Sequence, residues 1–343
     1  MSVTPPAVSF VVPTFRRPEI LERTLAGLAG VDYPAELMEV LVVPDDEHDH
    51  RSAMVLERAR EQATCEIIGV VRRKAGASAA RNAGAKRARG EILFFLDDDM
   101  IVATDHVRRH LHTRERFGDC VLNGARKFAP ETIAELSRTP FGPFRIGLER
   151  GYKQAVRMTD LGAGCFAAER LPSYDLSIRR ASFWRLGGFD EDIPFGWEDQ
   201  EFSLRAEQAG MPLIHDDTIR SLHHDWCTTL RMFCVRQEHG AQGFVAFAHK
   251  YPTRFETHPL LVENGPRSRR DPFRRASKKA AKAALSRRPL LWASLWGIRV
   301  LERIGVSKRQ IERMYTAIVG LYIFRGIRTG YRMVGTPSAP LTP

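Results

Sequence analysis

The sequence predicts an α/β protein: a mostly parallel sheet with helices on both faces, followed by a helical C-terminal extension. Three observations carry this. Short apolar runs alternate with helical patterns through the first hundred residues, the arrangement that builds βαβ units. Two of those runs end in aspartates, Asp45-Asp46 and Asp97-Asp98-Asp99, and such sheets bind ligands beyond the carboxyl ends of their strands. The chain changes character after residue 263: Asn264 to Pro343 holds 18 Lys/Arg against 3 Asp/Glu.

Val8 to Val12 is an apolar run closed by Pro13, as a buried parallel strand requires. Pro18 opens a helix with Ile20, Leu21, Leu25 and Leu28 on one face. Val40 to Val43 is the second strand, and Met54, Val55, Leu56 and Ala59 mark a second helix. Ile67 to Val71 is the third strand. Ser78 to Ala88 is a helix of small residues ended by Gly90, and Ile92 to Leu96 is the fourth strand. From Asp105 to Leu171 the pattern is weak and mixed. Glu198 to Ala209 is a helix closed by Gly210, Ile219 to Leu222 is a short strand leading into His223-His224, and residues 228–249 are helical.

The net charge of +11 belongs to the tail: +15 lies after residue 263 and the first 263 residues carry −4. Within the tail, Leu290 to Ile304 and the spacing Ile311, Met314, Tyr315, Ile318, Tyr322 are apolar helical stretches flanked by arginines. Each is short for a span but suits a membrane interface, or packing on the protein or on a second subunit of a homo-oligomer. An anionic membrane surface is therefore the expected partner of residues 264–343. Nucleic acid is disfavoured, because Trp292, Trp296, Tyr315 and Tyr322 sit among Leu and Ile. The composition excludes a disordered or collagen-like chain. An odd number of cysteines without tight pairing and no basic-then-apolar leader point to a reducing, cytoplasmic setting, peripheral to the inner face of the plasma membrane.

Chemistry concentrates in four places. Asp97, Asp98 and Asp99 repel one another, and hard carboxylate oxygens on a loop suit Mg2+ or Mn2+, which can neutralise a diphosphate. Trp197-Glu198-Asp199-Gln200-Glu201 opens a helix, where a carboxylate stays ionised and can accept a proton from an attacking hydroxyl. His223-His224-Asp225 supplies imidazole for a metal site. Ala80-Arg81-Asn82 brings a cation and helix amides suited to phosphate or a base edge.

The order of these segments resembles the family 2 glycosyltransferases. The matching stretches are Val8 to Phe15, Glu39 to Asp46, Gly76 to Gly84, Gly90 to Asp99, Ser177 to Arg180, Gly187 to Glu191 and Glu198-Asp199, and they cover roughly residues 7 to 250. The resemblance implies a GT-A fold and inverting, metal-dependent transfer from a nucleoside-diphosphate sugar, UDP-sugar favoured, to a glycan or lipid-linked hydroxyl acceptor in cell-surface glycan synthesis. It implies that Pro13, Thr14, Phe15 and Asp45 border the nucleoside and that Arg81 lies near the base or phosphates. Asp97 to Asp99 match the family's DxD motif, with Asp98 facing the ribose and Asp99, helped by Asp97, on the metal. Asp199 matches the catalytic base, and either His223 or His224 completes the metal site. Glu198, Trp197 and Arg205 are secondary candidates. The second-strand motif departs from the family's: Pro44 replaces its first acid, and Glu47 and His48 replace small residues. A sugar nucleotidyltransferase ranks low, because Pro13-Thr-Phe-Arg-Arg17 lacks a glycine-rich phosphate loop. The expected divisions are a catalytic domain over 1–225 (nucleotide half to about 100, acceptor half beyond), a helical closing segment over 226–263 and a basic amphipathic extension over 264–343.

Overall fold

The computed structural model describes residues 5–71, 73, 75–154, 156–193, 195–225, 227–269 and 271–335, with the side chains of 150–154 outside the description. The final residues of the basic extension, 336–343, therefore lie outside it. The strands are β1 (Val8–Thr14), β2 (Met38–Pro44), β3 (Glu66–Gly69), β4 (Ile92–Leu96), β5 (Met100–Ile101), β6 (Val121–Phe128), β7 (Met158–Gly162), β8 (Cys165–Ala168), β9 (Asp175–Arg179) and β10 (Leu213–His223). The helices are α1 (Pro18–Ala29), α2 (His50–Gln62), α3 (Ala77–Arg87), α4 (His106–Phe117), α5 (Pro130–Ser137), α6 (Gly142–Gln154), α7 (Arg180–Arg185), α8 (Glu198–Gln208), α9 (Leu230–Lys250), α10 (Pro252–Phe255), α11 (Pro259–Asn264), α12 (Phe273–Leu285), α13 (Arg288–Arg303) and α14 (Lys308–Val334).

The chain forms two compact units. The first comprises residues 1–132, 151–191 and 198–226; the second comprises 133–150, 192–197 and 227–343. Two internal segments thus join the C-terminal helices, a division that runs across sequence order.

The first unit holds one mixed sheet in the order β3-β2-β1-β4-β9-β6-β10-β8-β7, with β5 pairing β10. The nucleotide half is parallel as expected: β1 pairs β2 and β4, and β2 pairs β3. Beyond β4 the sheet becomes mixed, since β9 runs antiparallel to both β4 and β6 while β6 and β10 are parallel. Successive side chains in each strand face opposite ways. Val8, Phe10, Val12, Val40, Val42, Phe94 and Leu96 pack against α1, α2 and α4 on one face. Val11, Leu41, Val43, Leu93 and Phe95 pack on the other against Ala80 and Ala85 of α3, Phe183 of α7 and Phe202 of α8. The small residues of α3 permit close approach. A Cβ on Gly84 would fall 2.4 Å from Val11 Cγ1, so that helix is held tight against the strand.

Two expectations need correction. The third strand stops at Gly69, short of the expected Val71, whose side chain stands exposed. The expected short strand at 219–222 is the end of the eleven-residue β10, whose earlier residues pair β6 and β8 across the bulge between Asp216 and Arg220. The weak region after Asp105 contains α4, β6, α5, α6, β7 and β8, of which β7 is exposed along most of its length and so carries no apolar period.

In the second unit α14 packs along α9. Ile311, Tyr315, Ile318 and Tyr322 join Leu230, Phe233 and Cys234 in one core. Gly326 and Gly330 let the two backbones approach, because a Cβ on Gly326 would lie 2.2 Å from the Glu238 carbonyl oxygen. The apolar spacing read in the tail is therefore a packing stripe for α14, whereas Trp292 and Trp296 of α13 are 64% and 70% exposed. Among the described residues no helix is long and apolar enough to cross a membrane.

Candidate active site

β1 and β2 end together, with Thr14 opposite Pro44 as their last rung. Pro13 sits one rung earlier opposite Val43. This register delivers Phe15 and Asp45 side by side, and the Asp45 amide donates to the Thr14 carbonyl at 2.8 Å. Phe15 is partly exposed at the strand end. The Asp45 carboxylate is buried and accepts from the amides of Ala75 and Gly76, both at 2.9 Å, which ties it to the start of α3.

The acidic run leaves β4 directly. The Thr14 hydroxyl donates to Asp98 Oδ2 at 2.6 Å, and Asp98 is fully buried. Burial pushes the Asp98 carboxyl up to about 7, against the pull of Arg17. Asp99 is also pushed up by burial, but His223 and Arg17 outweigh that and hold it low. The next two residues form β5, whose pairing sets Met100 opposite His223 of β10. His223 Nε2 thereby comes 3.5 Å from Asp99 Oδ2. Its Nδ1 is buried with no hydrogen-bond partner among the described residues, and its ring lies stacked on Phe128 at 5.8 Å. His224 points elsewhere: its Nδ1 is 3.3 Å from Arg23 Nη1, and its amide donates to the Asp99 carbonyl. The spacing-based choice between the two histidines is thus separated by geometry, with His223 beside Asp99.

One residue the sequence reading missed sits in this cluster. Arg17 places Nη2 at 2.5 Å from Asp98 Oδ1 and Nη1 at 3.2 Å from Asp99 Oδ2. The available signal was the Arg16-Arg17 pair immediately after β1, noted there for its lack of glycine.

Arg81 organises the other side. It is buried, donating from Nη2 to Asp97 Oδ1 at 2.7 Å and from Nη1 to Glu198 Oε1 at 3.0 Å. Burial works against its charge, but the two carboxylates raise its pKa above the ordinary arginine value. Glu198 is thereby committed to an ion pair. Its neighbour Asp199, in the first turn of α8, accepts from the Gln200 amide at 2.8 Å. Burial, reinforced by the Glu198 charge, pushes Asp199 up to about 7.

Two secondary candidates belong to scaffolding. Arg205 is fastened to Glu201 at 2.6 Å and donates to the carbonyls of Leu186 and Gly188, holding the turn at Gly187-Gly188. Trp197 belongs to the second unit, where its ring lies 4.4 Å from Phe244. A further buried group, His106, His110 and Asp175, was not read from the sequence. Asp175 Oδ1 lies 3.1 Å from His106 Nε2 and 3.4 Å from His110 Nε2, and Oδ2 accepts from Ser221 at 2.7 Å. Asp175 sits opposite Leu96 in the β4–β9 register, so this cluster braces the strand end from which the acidic run departs.

The donors beside Asp99 fit a divalent cation. A buried carboxylate and a buried imidazole face each other at 3.5 Å, and Arg17 already answers the negative charge there as a cation would. Its side chain is 28% exposed, which makes it the most solvent-exposed of the three side chains Arg17, Asp98 and Asp99.

Comparison with known proteins agrees with the fold. The profile described as "Glycosyl transferase family 2" matches residues 9–170, a range that includes Asp97 to Asp99 and ends before Asp199. Validoxylamine A glucosyltransferase from Streptomyces hygroscopicus subsp. jinggangensis is 30% identical over 227 residues, covering 61% of this chain and 53% of that protein. Succinoglycan biosynthesis protein ExoM from Rhizobium meliloti is 31% identical over 183 residues, covering 52% and 57%. The chain spans just over half the length of these relatives. Mannosyltransferase PcManGT from Pyrobaculum calidifontis, solved with GDP-Man and Mn2+, superposes with a TM-score of 0.59 at 17% identity, over 93% of this chain and 87% of that one, and so shares the fold. Its strand order, its acidic strand-end turn and the matched residues 9–170 together liken the chain to glycosyl transferase family 2, on a GT-A-like sheet.

Proposed function

We propose that this protein is a metal-dependent, inverting glycosyltransferase that moves a hexosyl or related group from a nucleoside-diphosphate sugar to a hydroxyl of a glycan or lipid-linked acceptor. The observation that carries the reading is the Arg81 bridge. One buried guanidinium binds Asp97 of the acidic turn and Glu198 beside Asp199, so the diphosphate end and the proton acceptor are fixed to a common anchor. The relatives' names, a glucosyltransferase and a mannosyltransferase bound to GDP-Man and Mn2+, support a nucleotide-hexose donor.

Thr14, Phe15 and Asp45 border the nucleoside, with Pro13 setting the strand end and Asp98 facing the ribose. Asp99 and His223 would hold the divalent cation, Mn2+ or Mg2+, which supplies positive charge for the leaving diphosphate. Asp199 is the base: the acceptor oxygen bonds to the anomeric carbon, the bond to the diphosphate oxygen breaks, and the hydroxyl proton passes to Asp199. Glu198 cannot share that task while it is paired to Arg81.

Asp199→Asn tests the assignment. Loss of general-base assistance lowers kcat by about 10²–10⁴, while nucleotide binding measured by calorimetry stays near the wild-type value. Turnover within threefold of wild type, or equal loss of nucleotide affinity, rejects Asp199 as the base (the threefold margin is roughly 0.6 kcal/mol).

A further inference from the structure

The second unit contains a cavity of about 530 Å³ lined by Arg267, Arg287, Arg288, Arg325, Arg328 and Arg332. Its walls come from α12, the start of α13 and the last turns of α14. Small residues, Ala280, Ala283 and Ala284, leave the room that the guanidinium groups surround. Arg325 is answered by Glu238 at 3.1 Å, and Arg328 lies over the Phe324 ring at 5.9 Å. Arg267, Arg287, Arg288 and Arg332 make no ion pair with a described residue. Like charges gathered around one space repel, here tempered by solvent, since all but Arg325 of these side chains are exposed. The lining holds six arginines and no acid among the described residues, and Glu238 acts on only Arg325 and Arg288, so a bound anion would offset the remaining charge.

The chemistry of that counter-charge follows from the lining. Guanidinium forks bind carboxylates and phosphates in bidentate fashion, but a carboxylate satisfies one fork, whereas a phosphate or diphosphate can engage several. The neighbouring surface argues for its source. Leu285 and Leu290 bracket the lining segment and are 50% and 43% exposed. On α12, Phe273 is 89% exposed, and on α13 Trp292 and Trp296 are separated by one helical turn and both stand out. Exposed tryptophans beside arginines on a helix too short to span are the pattern of a surface that lies in a membrane interface. The structure assigns this arginine cavity as a binding site for the phosphate-bearing headgroup of a membrane lipid. The assignment is independent of the transferase reading and stands or falls without it.

The test is flotation of the full-length protein with phosphatidylcholine vesicles, with and without phosphatidic acid, at fixed salt. Wild type should float with the phosphatidic acid vesicles only. Arg287→Ser/Arg332→Ser should lower the partition coefficient about tenfold or more, while Arg309→Ser/Arg313→Ser, which removes the same charge outside the cavity, should change it less than about threefold, a contrast that general surface attraction does not produce. Equal losses in the two double variants would overturn the site in favour of a diffuse basic surface. Stabilisation by inorganic diphosphate without vesicle binding would overturn the lipid source. Salt-sensitive binding to RNA or DNA in place of vesicles would overturn the partner. Unchanged melting curves for both variants, which alter exposed side chains, confirm that binding and not folding is being read.

Discussion

Replacing Arg81 by Met keeps an unbranched apolar stem and removes the guanidinium and its charge. The guanidinium is 5% exposed and Glu198 is 8% exposed, so the substitution removes the cationic partner of a buried carboxylate. Breaking a buried pair by deleting one partner costs about 3–5 kcal/mol. The Asp97 half, with that carboxylate 34% exposed, is screened by solvent and adds about 0–1 kcal/mol. The expected loss at pH 8 is therefore roughly 3–5 kcal/mol, dominated by Glu198. At about 2–4 °C per kcal/mol for a unit of this size, the melting temperature should fall by roughly 6–20 °C. Urea unfolding followed by far-ultraviolet circular dichroism at pH 8 measures the loss. A companion variant, Arg81→Met/Glu198→Leu, replaces the whole pair by apolar groups and should recover at least half of the loss. If Arg81→Met stays within about 1 kcal/mol of wild type at pH 8, the bridge does not anchor this side of the site and the argument from it fails.

Other consequences are separable. Because Asp199 is pushed up to about 7, kcat/KM should rise about tenfold per pH unit below that value and level off above it. The same raised pKa means that ionising Asp199 costs stability as pH rises through about 7, so Asp199→Asn should be more stable than wild type at pH 8 and no different at pH 3; a flat pH–rate profile between pH 5 and 8 rules Asp199 out. For the cation, titration with Mn2+ followed by electron paramagnetic resonance should show binding weakened by at least the ~10-fold typical of losing even an outer ligand partner in His223→Ala, and nearly unchanged in His224→Ala. The reverse ranking would show that the β5–β10 pairing does not select the ligand. In the second unit, Gly326→Ala forces a methyl to within 2.2 Å of the Glu238 carbonyl and should destabilise α9–α14 packing by about 1–3 kcal/mol; hydrogen exchange that leaves α14 as protected as in wild type would reject that contact.

Sequence alone determined the nucleotide half of this protein. Its strands are buried on both faces, so they appear as continuous apolar runs, and the residues that end them lie next to one another in the chain. Asp45, Asp97 to Asp99 and Asp199 could therefore be placed on strand ends and a helix start by local pattern. Only the tertiary structure decided the partners. Arg81 and Glu198 are 117 positions apart, Arg17 reaches Asp98 and Asp99 across more than 80, and the choice of His223 over His224 depends on the pairing of Met100 with β10. The tail shows the same limit: its composition gave the charge, but the stripe from Ile311 to Tyr322 could equally have met lipid or protein. Packing on α9 buried that stripe and left Arg267, the two arginines at the start of α13 and three of α14 around one cavity. Periodicity reports which side of an element is apolar, whereas long-range pairing sets what that side meets.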